Sequence, residues 1–256
     1  MEQDQPRYPR PPVCEAIIDI RIQPLSPEAL PILEKLHTQF SQEFPKKQTR
    51  YEILSSFKFE EQNLSTEIKS PNPLGYIFGS ADDKKLVQFR RDGFTFNQLK
   101  PDPDESWPGW NCIKSEAKKY WDQYFQAIAL ERIERLTLRY INKIVIKRIE
   151  AGGLDLDEYF TAAPKIPAPL PQRLGNYFSR VDIPFPEVKA WGIIILAPHP
   201  EKSSNKMNIT LDIEVFRKES SPLNNEQIWS SLDQFRETKN QIFDACLTEK
   251  AKELFQ

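Results

Sequence analysis

Segments in which apolar and polar residues alternate recur through both halves of the chain, and they constrain the fold more than any other feature. Alternation with a period of two predicts strands with one buried and one solvated face. An Asp-Gly pair in the turn Arg91-Asp92-Gly93 separates two such segments, which strongly favours an antiparallel hairpin. The predicted strands cover residues 13–23, 51–59, 64–69, 75–79, 86–90, 94–99, 135–147, 174–183, 188–197 and 207–217.

Two long segments have the apolar spacing of amphipathic helices, at about 110–129 and about 224–255. A shorter helix is predicted from Ser26-Pro27 to about Phe44, because Ser is a good N-cap and Pro fits the first turn. In the C-terminal helix, Lys239 interrupts an otherwise apolar inner face. The predicted inner faces contain Trp110, Ile113, Ala117, Trp121, Tyr124 and Ile128 in the first long helix, and Ile228, Leu232, Phe235, Ile242, Phe243, Cys246 and Leu254 in the second.

The order of these elements predicts an α+β protein with two related antiparallel β-sheet regions, each closed by a long amphipathic α-helix in a helix-grip-like half. The N-terminal half spans residues 1–130 and the C-terminal half residues 131–256, packed together as one compact unit. A duplication is a hypothesis only, because no residue-level repeat between the halves can be aligned.

The composition argues against several classes of function. The net charge of -2 provides no strong field for nucleic acid or anionic membranes, and only 8 glycines argue against glycine-rich phosphate loops. Three cysteines, odd in number and far apart, make a disulfide framework unexpected and suit a reducing cytoplasm. With 2 histidines, no zinc-ligand spacing occurs. We therefore expect a cytoplasmic protein with no cofactor and no metal.

No membrane association is expected from the sequence. The N-terminal stretch MEQDQPRYPRPP lacks the apolar region of a signal peptide. The longest apolar run, Trp191 to Pro198, is far shorter than the roughly 20 residues of a membrane helix.

Catalytic motifs have weak support. Glu67-Ile68-Lys69 is an E-x-K tripeptide of the kind that metal-dependent nucleases carry on a strand, but no Pro-Asp precedes it, and an exposed strand explains it as well. The chain has no G-x-S-x-G motif. Cys14 lies on the apolar face of a predicted strand, where a thiol is usually an inert core group. Enzymatic activity is therefore not the favoured prediction.

Charged residues recur on strand faces that lie opposite aliphatic ones. Asp212 and Glu214 in LDIEVF project from the same side of one strand, where two carboxylates suit Mg²⁺ or an acid/base pair. They equally suit a solvated sheet face or ion pairs with neighbouring arginines. The same type of face carries Glu15, Asp19, Arg21 and Arg139. If these strands are neighbours, the residues form one charged surface, which in a curved groove would be a polar binding site.

The strand RLTLRYINKIVIK, residues 135–147, places an asparagine where an apolar residue is expected. If Tyr140 and Ile144 face the core, Asn142 faces it too, and a buried amide costs about 1–3 kcal/mol unless its hydrogen bonds are made. Three explanations are open. A β-bulge near Tyr140 returns the side chain to solvent, the amide clamps backbone at a sheet bend, or Asn142 lines a pocket beside Tyr140 with Arg139 at its rim.

A hairpin that carries Arg90, Arg91, Phe94 and Phe96 has the residue types that stack bases and hold phosphates. The acidic net charge and the Asp92 in the turn count against this use. Phe94 and Phe96 also share one face, as core residues do.

The segments PPVCEAIIDIRIQP, LVQFRRDGFTFNQL followed by Trp107 or Trp110, RYINKIVI with DLDEYF behind it, LDIEVF and FDACLTEKAKELF occur in this order along nearly the whole chain. Together they resemble an uncharacterised, sporadically distributed prokaryotic family of cytoplasmic proteins of similar length. The resemblance implies a stand-alone bacterial or archaeal protein and no particular activity, cofactor or substrate. Patchy distribution of this kind is associated with mobile or defence-related gene sets.

The leading prediction is a non-enzymatic binding or interaction module that acts with a genetically linked protein partner. A homodimer through the C-terminal helix is also predicted, because that helix is long enough to extend past the core. One alternative is an enzyme or small-ligand-binding protein with a polar site in the groove between sheet and helix. This site would use Glu15, Asp19, Arg21, Arg139, Tyr140, Asn142, Asp212 and Glu214. The other alternative is a nucleic-acid-binding accessory protein that uses Arg90 and Arg91.

Overall fold

The computed structural model describes residues 8–52, 55–60, 63–68, 71–100, 102, 105–128, 132–147, 155–171, 174, 176–199, 206–219 and 224–256, with the backbone only at 55–60 and 63–68. It is a mixed α+β fold built on a large antiparallel sheet. The strands are β1 (Val13–Ile22), β2 (Lys46–Glu52), β3 (Ser55–Glu60), β4 (Asn63–Ile68), β5 (Asn72–Gly79), β6 (Lys85–Arg90), β7 (Gly93–Leu99), β8 (Ile133–Lys147), β9 (Ser179–Phe185), β10 (Ala190–His199) and β11 (Lys206–Lys218).

The helices are α1 (Leu30–Leu36), α2 (Trp110–Ala127), α3 (Asn225–Cys246) and α4 (Glu249–Glu253). Short 3₁₀ turns occupy Pro27–Ala29, His37–Gln39 and Pro186–Val188. Across the described residues, no helix has both the length and the apolar character needed to cross a membrane.

Nine strands form one continuous sheet in the order β2-β5-β6-β7-β1-β8-β11-β10-β9, and β3 and β4 form a separate hairpin. The first strand of each predicted half lies at the centre, where β1 and β8 pair with each other. Each also pairs on its other side, β1 with β7 and β8 with β11. The structure therefore has one continuous nine-stranded sheet where the sequence predicts two sheet regions, because the central strands use both of their edges for pairing.

The predicted hairpin at Arg91-Asp92-Gly93 is confirmed. It joins β6 to β7, with Arg90 opposite Gly93. Gly93 has φ of +146°, and a Cβ at this position would lie 2.2 Å from the carbonyl oxygen of Ile20 on β1. Only glycine fits both the conformation and the close approach.

The helices cover one side of the sheet. Helix α1 packs on β5, β6 and α2, helix α2 on β7, and helix α3 on β8, β10 and β11. The predicted inner face of α2 is confirmed as buried throughout. An aromatic cluster fills the space beneath α1 and α2, and it contains Phe40, Phe44, Phe78, Phe89, Phe94, Phe96, Tyr120, Trp121 and Tyr124.

Two helix predictions are wrong in extent. The helix expected to run to Phe44 is reduced to the seven residues of α1 between 3₁₀ turns, although Phe44 is buried. The C-terminal helix is interrupted at Leu247, which is extended (φ -114°, ψ 142°), and Thr248 caps α4. This interruption changes the helical phase, so Leu254 is 42% exposed and Phe255 is buried instead.

Candidate functional site

A pocket of about 350 Å³ lies on the helix side of the sheet, between β8 and α3. Its volume falls at the lower end of the range for ligand sites, about 300–1,000 Å³. The rest of the lining comes from Tyr8, Pro11 and Pro12 ahead of β1, from Val13 at its start, from residues 107–109 and from the first residue of α2. Its lining consists of Tyr8, Pro11, Pro12, Val13, Trp107, Pro108, Gly109, Trp110, Tyr140, Asn142, Arg236, Glu237, Lys239, Asn240, Phe243 and Asp244.

Backbone contacts hold the N-terminal segment at the pocket. The β1–β8 register shifts between Val13 and Glu15, and such an irregularity redirects a strand. Beyond it, the amide of Lys143 donates to the Pro12 carbonyl at 2.8 Å. The Arg10 amide donates to the Phe255 carbonyl at 3.0 Å, which ties the segment to the C-terminus.

Five aromatic side chains, each 6–9% exposed, form the walls of the pocket. Trp107 meets Tyr140 edge to face with centroids 6.5 Å apart, and Tyr8 lies 6.2 Å from Phe243. The indole Nε1 of Trp110 donates to Asp233 at 2.7 Å, so its polar tip is satisfied within the fold. Flat rings at several angles suit the enclosure of a planar ligand.

Asn142 is 3% exposed, and its Nδ2 donates to the Leu211 carbonyl at 3.0 Å. The β8–β11 register runs without a shift through the Asn142–Leu211 pair, so the proposed bulge in β8 that would return Asn142 to solvent is wrong. The backbone clamp and the pocket position are both present. Arg139 lies on the opposite face of β8 and is not at the pocket rim.

Tyr140 lines the pocket and is 6% exposed. Burial raises the pKa of its hydroxyl, and the positive charge of Arg236 opposes that rise. The ammonium of Lys239 lies 4.1 Å from the centroid of the Tyr140 ring, a cation–π contact. Within the part of the chain that the structure describes, the Tyr140 hydroxyl makes no hydrogen bond.

One face of α3 supplies the remaining polar lining. Arg236, Lys239, Asn240 and Phe243 follow the i, i+3, i+4, i+7 spacing that brings side chains together. Arg236 donates to Glu237 at 2.7 Å. The half-buried Asn240 amide has no hydrogen bond to any of the described residues. The pocket therefore combines aromatic walls with polar groups that are available to a ligand.

The opposite side of the sheet, here called the polar face, carries most of the charged residues expected at a site. Because β1, β8 and β11 are neighbours, one continuous surface forms there. Glu214 lies opposite Arg139, and Asp19 lies opposite Thr137. The residues expected at a site that lie on this face are Glu15, Asp19, Arg21, Arg139, Asp212 and Glu214.

Asp19 is the centre of one network on the polar face. It accepts hydrogen bonds from Arg21 Nε at 2.9 Å, Arg90 Nη2 at 3.0 Å and the Thr95 hydroxyl at 2.6 Å. Arg90 also donates to Asp92 at 2.8 Å. Burial alone would raise the pKa of Asp19, but Arg90, Arg21 and the Thr95 hydroxyl hold it below its usual value.

A second network joins β8 and β11. Arg139 forms a bidentate pair with Asp212, in which Nε lies 2.8 Å from Oδ1. Arg135 pairs with Glu214 and lies 3.9 Å above the centroid of the Phe216 ring. Burial raises the pKa of Glu214 despite the opposing charges of Arg135 and Arg139.

The eight residues expected to converge in one site are divided between two faces. Six lie on the polar face, whereas Tyr140 and Asn142 line the pocket, because successive strand residues point to opposite sides. Of the two arginines considered for nucleic acid, Arg90 is 1% exposed and pairs with carboxylates, and Arg91 donates to the Leu25 carbonyl at 2.8 Å.

Sequence reasoning missed Trp107, Arg236, Lys239 and Asn240 as pocket residues. A signal was present in Lys239, which interrupts the apolar face of α3. The break before residue 110 gave no sign that Trp107 folds back over β8.

No group of three or more His, Cys, Asp or Glu side chains that could hold a metal ion is found among the described residues. Comparison with models of known protein families and with curated proteins gives no match to this chain. The function is therefore inferred from the geometry of the chain itself.

Proposed function

We propose that this chain is a non-enzymatic small-molecule-binding protein and that the pocket between β8 and α3 is its binding site. The supporting observation is a partly open cavity of about 350 Å³ with aromatic walls, lined also by the Tyr140 hydroxyl and the Asn240 amide, which make no hydrogen bond to the described residues. A ligand that enters the cavity can form hydrogen bonds with both groups.

Binding is favoured over catalysis by the chemistry of the lining. The described lining residues include no Ser, Cys or His. Of the other groups that can act as bases, Glu237 is paired with Arg236, and burial raises the pKa of the Tyr140 hydroxyl. Perturbed carboxyl pKa values are frequent at active sites, but Asp19 and Glu214 lie on the polar face, where burial and arginine partners account for the shifts.

The test is a ligand screen on the full chain by ligand-observed NMR and thermal unfolding. Asn240→Phe fills the pocket from α3, and Gln234→Phe is the matched control at an exposed position of the same helix. We expect fragments that bind the wild type and the control but not Asn240→Phe. If no fragment binds at millimolar concentration, or if all bind Asn240→Phe equally well, the proposal is wrong.

A second candidate is the interaction module with a genetically linked partner in a mobile or defence-related system. Its specific support is the exposure of large aromatic residues near the sheet edge, Phe178 at 70% and Trp191 at 47%. Purification of tagged wild type and Trp191→Ser from the native host tests this candidate. A stoichiometric partner lost only from the variant supports it, and identical eluates count against it.

We also propose that the sheet comprises two related helix-grip-like halves, each closed by a long helix. In support, the first strand of each half pairs with the last strand of that half, β1 with β7 and β8 with β11.

Cytoplasmic location and membership of the prokaryotic family are proposals of the same kind. The free thiols of Cys14, Cys112 and Cys246 suit a reducing compartment.

A further inference from the structure

We propose that β9, the last strand of the sheet, pairs with β9 of a second copy of this chain, so that two sheets join into one. The inference is independent of the pocket and goes beyond the proposed function. β9 pairs with β10 on one side, and no strand among the described residues pairs with its other side. An edge of this kind presents unpaired N–H and C=O groups that a further strand can use.

The position of Pro184 indicates which residues of β9 direct their backbone groups to the free edge. Successive residues of a strand direct their N–H and C=O groups alternately to one edge and to the other. Proline has no N–H to donate to a ladder, so within a sheet it occurs where that position faces the free edge. Arg180 and Asp182 have the same parity as Pro184, and their backbone groups therefore face outward.

A second proline supports this assignment. Pro198 on β10 lies opposite Ile209 of β11 and has no N–H to donate to it, so β10 residues with its parity direct their backbone groups towards β9. Ile194 has that parity and lies opposite Val181. Val181 therefore bonds to β10, and its two neighbours in the chain face outward.

Antiparallel pairing of two β9 strands about Val181 places opposite charges across the junction. With Val181 opposite its own copy, Arg180 lies opposite Asp182 of the second chain, and Asp182 lies opposite Arg180. These residues then exchange their outward backbone hydrogen bonds, and their side chains, 51% and 44% exposed in the single chain, form ion pairs across the strands. Pairing centred on Arg180 or on Asp182 would instead place like charges opposite each other, which is unfavourable.

The same register brings together apolar side chains that are exposed in the single chain. Phe178, directly before β9, is 70% exposed and would lie opposite Pro184 of the second copy. Trp191 on β10 is 47% exposed and lies opposite Pro184 within its own sheet. An apolar strip from Trp191 through Pro184 to Phe178 therefore crosses the junction. On the helix side of the sheet, two Val181 side chains, each 47% exposed, meet.

The paired surface is small, so the dimer is weak. Interfaces that bury less than about 1,200 Å² in total are typical of transient contacts. We expect a dissociation constant of about 10–100 µM, and the chain is then a monomer at low micromolar concentration. Unfolding experiments at that concentration measure the monomer.

The experiment is sedimentation equilibrium on the full chain, from low micromolar concentration to about 500 µM. Arg180→Asp places carboxylates opposite carboxylates at the junction, and Asp182→Arg places guanidinium groups opposite guanidinium groups. Each variant alone should dimerise at least about tenfold more weakly than the wild type. An equimolar mixture of the two should form a heterodimer within about threefold of the wild-type affinity, because each variant complements the charges of the other.

Two control variants should keep the wild-type affinity. Lys118→Asp reverses one charge of an exposed ion pair with Asp122 on α2. Leu254→Ala separates this dimer from one formed through the C-terminal helix. If a single charge reversal does not fold, the double variant Arg180→Asp/Asp182→Arg provides the second test, because it restores opposite charges at the junction and should dimerise as the wild type does.

A wild type that stays monomeric at about 500 µM overturns the proposal, also when the chain binds a different protein. A dimer that neither charge reversal weakens is formed elsewhere on the chain, and it overturns the proposal too. If the reversals weaken the dimer but neither the mixture nor the double variant restores it, the pairing about Val181 is wrong.

Discussion

Replacing Arg90 with methionine should destabilise the fold by about 3 kcal/mol. Arg90 is 1% exposed and pairs with Asp19 and Asp92, whose side chains are 16% and 21% exposed. Removing one partner of a buried ion pair typically costs about 3–5 kcal/mol, because the remaining charge stays buried. The lower end applies here, since Asp19 keeps its bonds to Arg21 and Thr95 and both carboxylates retain some contact with water.

Urea unfolding followed by circular dichroism measures this loss. Arg180→Met is the control, because Arg180 pairs with Asp182 at the surface, where the side chains are 51% and 44% exposed, so the free energy of unfolding should not change. Combining Arg90→Met with Asp19→Asn should destabilise less than the sum of the single variants, since the two residues interact directly.

A loss below about 1 kcal/mol, with an unchanged dependence on urea, would refute the structural role of Arg90. If that stable variant also lost salt-sensitive binding to single-stranded nucleic acid, Arg90 would belong to a nucleic-acid site instead.

Three further predictions follow from burial and geometry. The pKa of Asp19 is lowered in the folded protein, so its ion pairs stabilise the fold at pH values above the usual 3.8, and this stabilisation is lost as the pH falls further. The urea concentration at the unfolding midpoint should therefore fall between about pH 5 and pH 2.5, and it should fall less in Asp19→Asn than in the wild type. Gly192→Ala should lower the free energy of unfolding in urea by about 1–3 kcal/mol, because the added Cβ would lie 2.7 and 2.9 Å from neighbouring side-chain atoms. Gly79→Ala is the control and should be tolerated, because the nearest atom to its Cβ would be 3.4 Å away. Phe255→Ala should lower the free energy of unfolding by about 3 kcal/mol, because Phe255 is buried, and Leu254→Ala should change it little, because Leu254 is exposed. If the melting temperature of the wild type depends on protein concentration and Leu254→Ala removes that dependence, the result would instead favour the C-terminal homodimer.

Local patterns predict the individual elements well. The strand predicted at 13–23 is observed at Val13–Ile22, the strand predicted at 207–217 at Lys206–Lys218, and the helix predicted at 110–129 at Trp110–Ala127. Period-two alternation and helical spacing are properties of neighbouring residues, so they survive whatever the tertiary arrangement is.

The continuity of the sheet was not predictable in the same way. Pairing of β1 with β8 joins residues more than 100 positions apart, such as Ile18 and Leu138. β1 and β8 each have one apolar face and one charged face, so neither sequence specifies which partner pairs along which of its two edges. The interruption of the C-terminal helix did have a local signal: Thr248 followed by Glu249 is an N-cap with an acid in the first turn.

Only part of the pocket was detectable from the sequence. Asn142 was recognised as anomalous because it breaks the alternation of a long strand. Trp107 was not recognised as a pocket residue, because its position over Tyr140 depends on how the chain turns before α2. The charged residues of the polar face were identified correctly as one surface, but their pairing required the register between strands.

The two sides of the sheet differ in what explains their polar residues. On the polar face, Arg139 meets Asp212 and Arg90 meets Asp19, so the sheet alone accounts for these charges. In the pocket, Asn142 and Lys239 occupy positions that alternation and helical spacing assign to the core. An apolar residue there would bury more apolar surface, at roughly 25 cal/mol per Å², and stability alone would favour it. Polar residues that oppose the local pattern in this way are expected where a protein binds something, and here both of them line the same pocket.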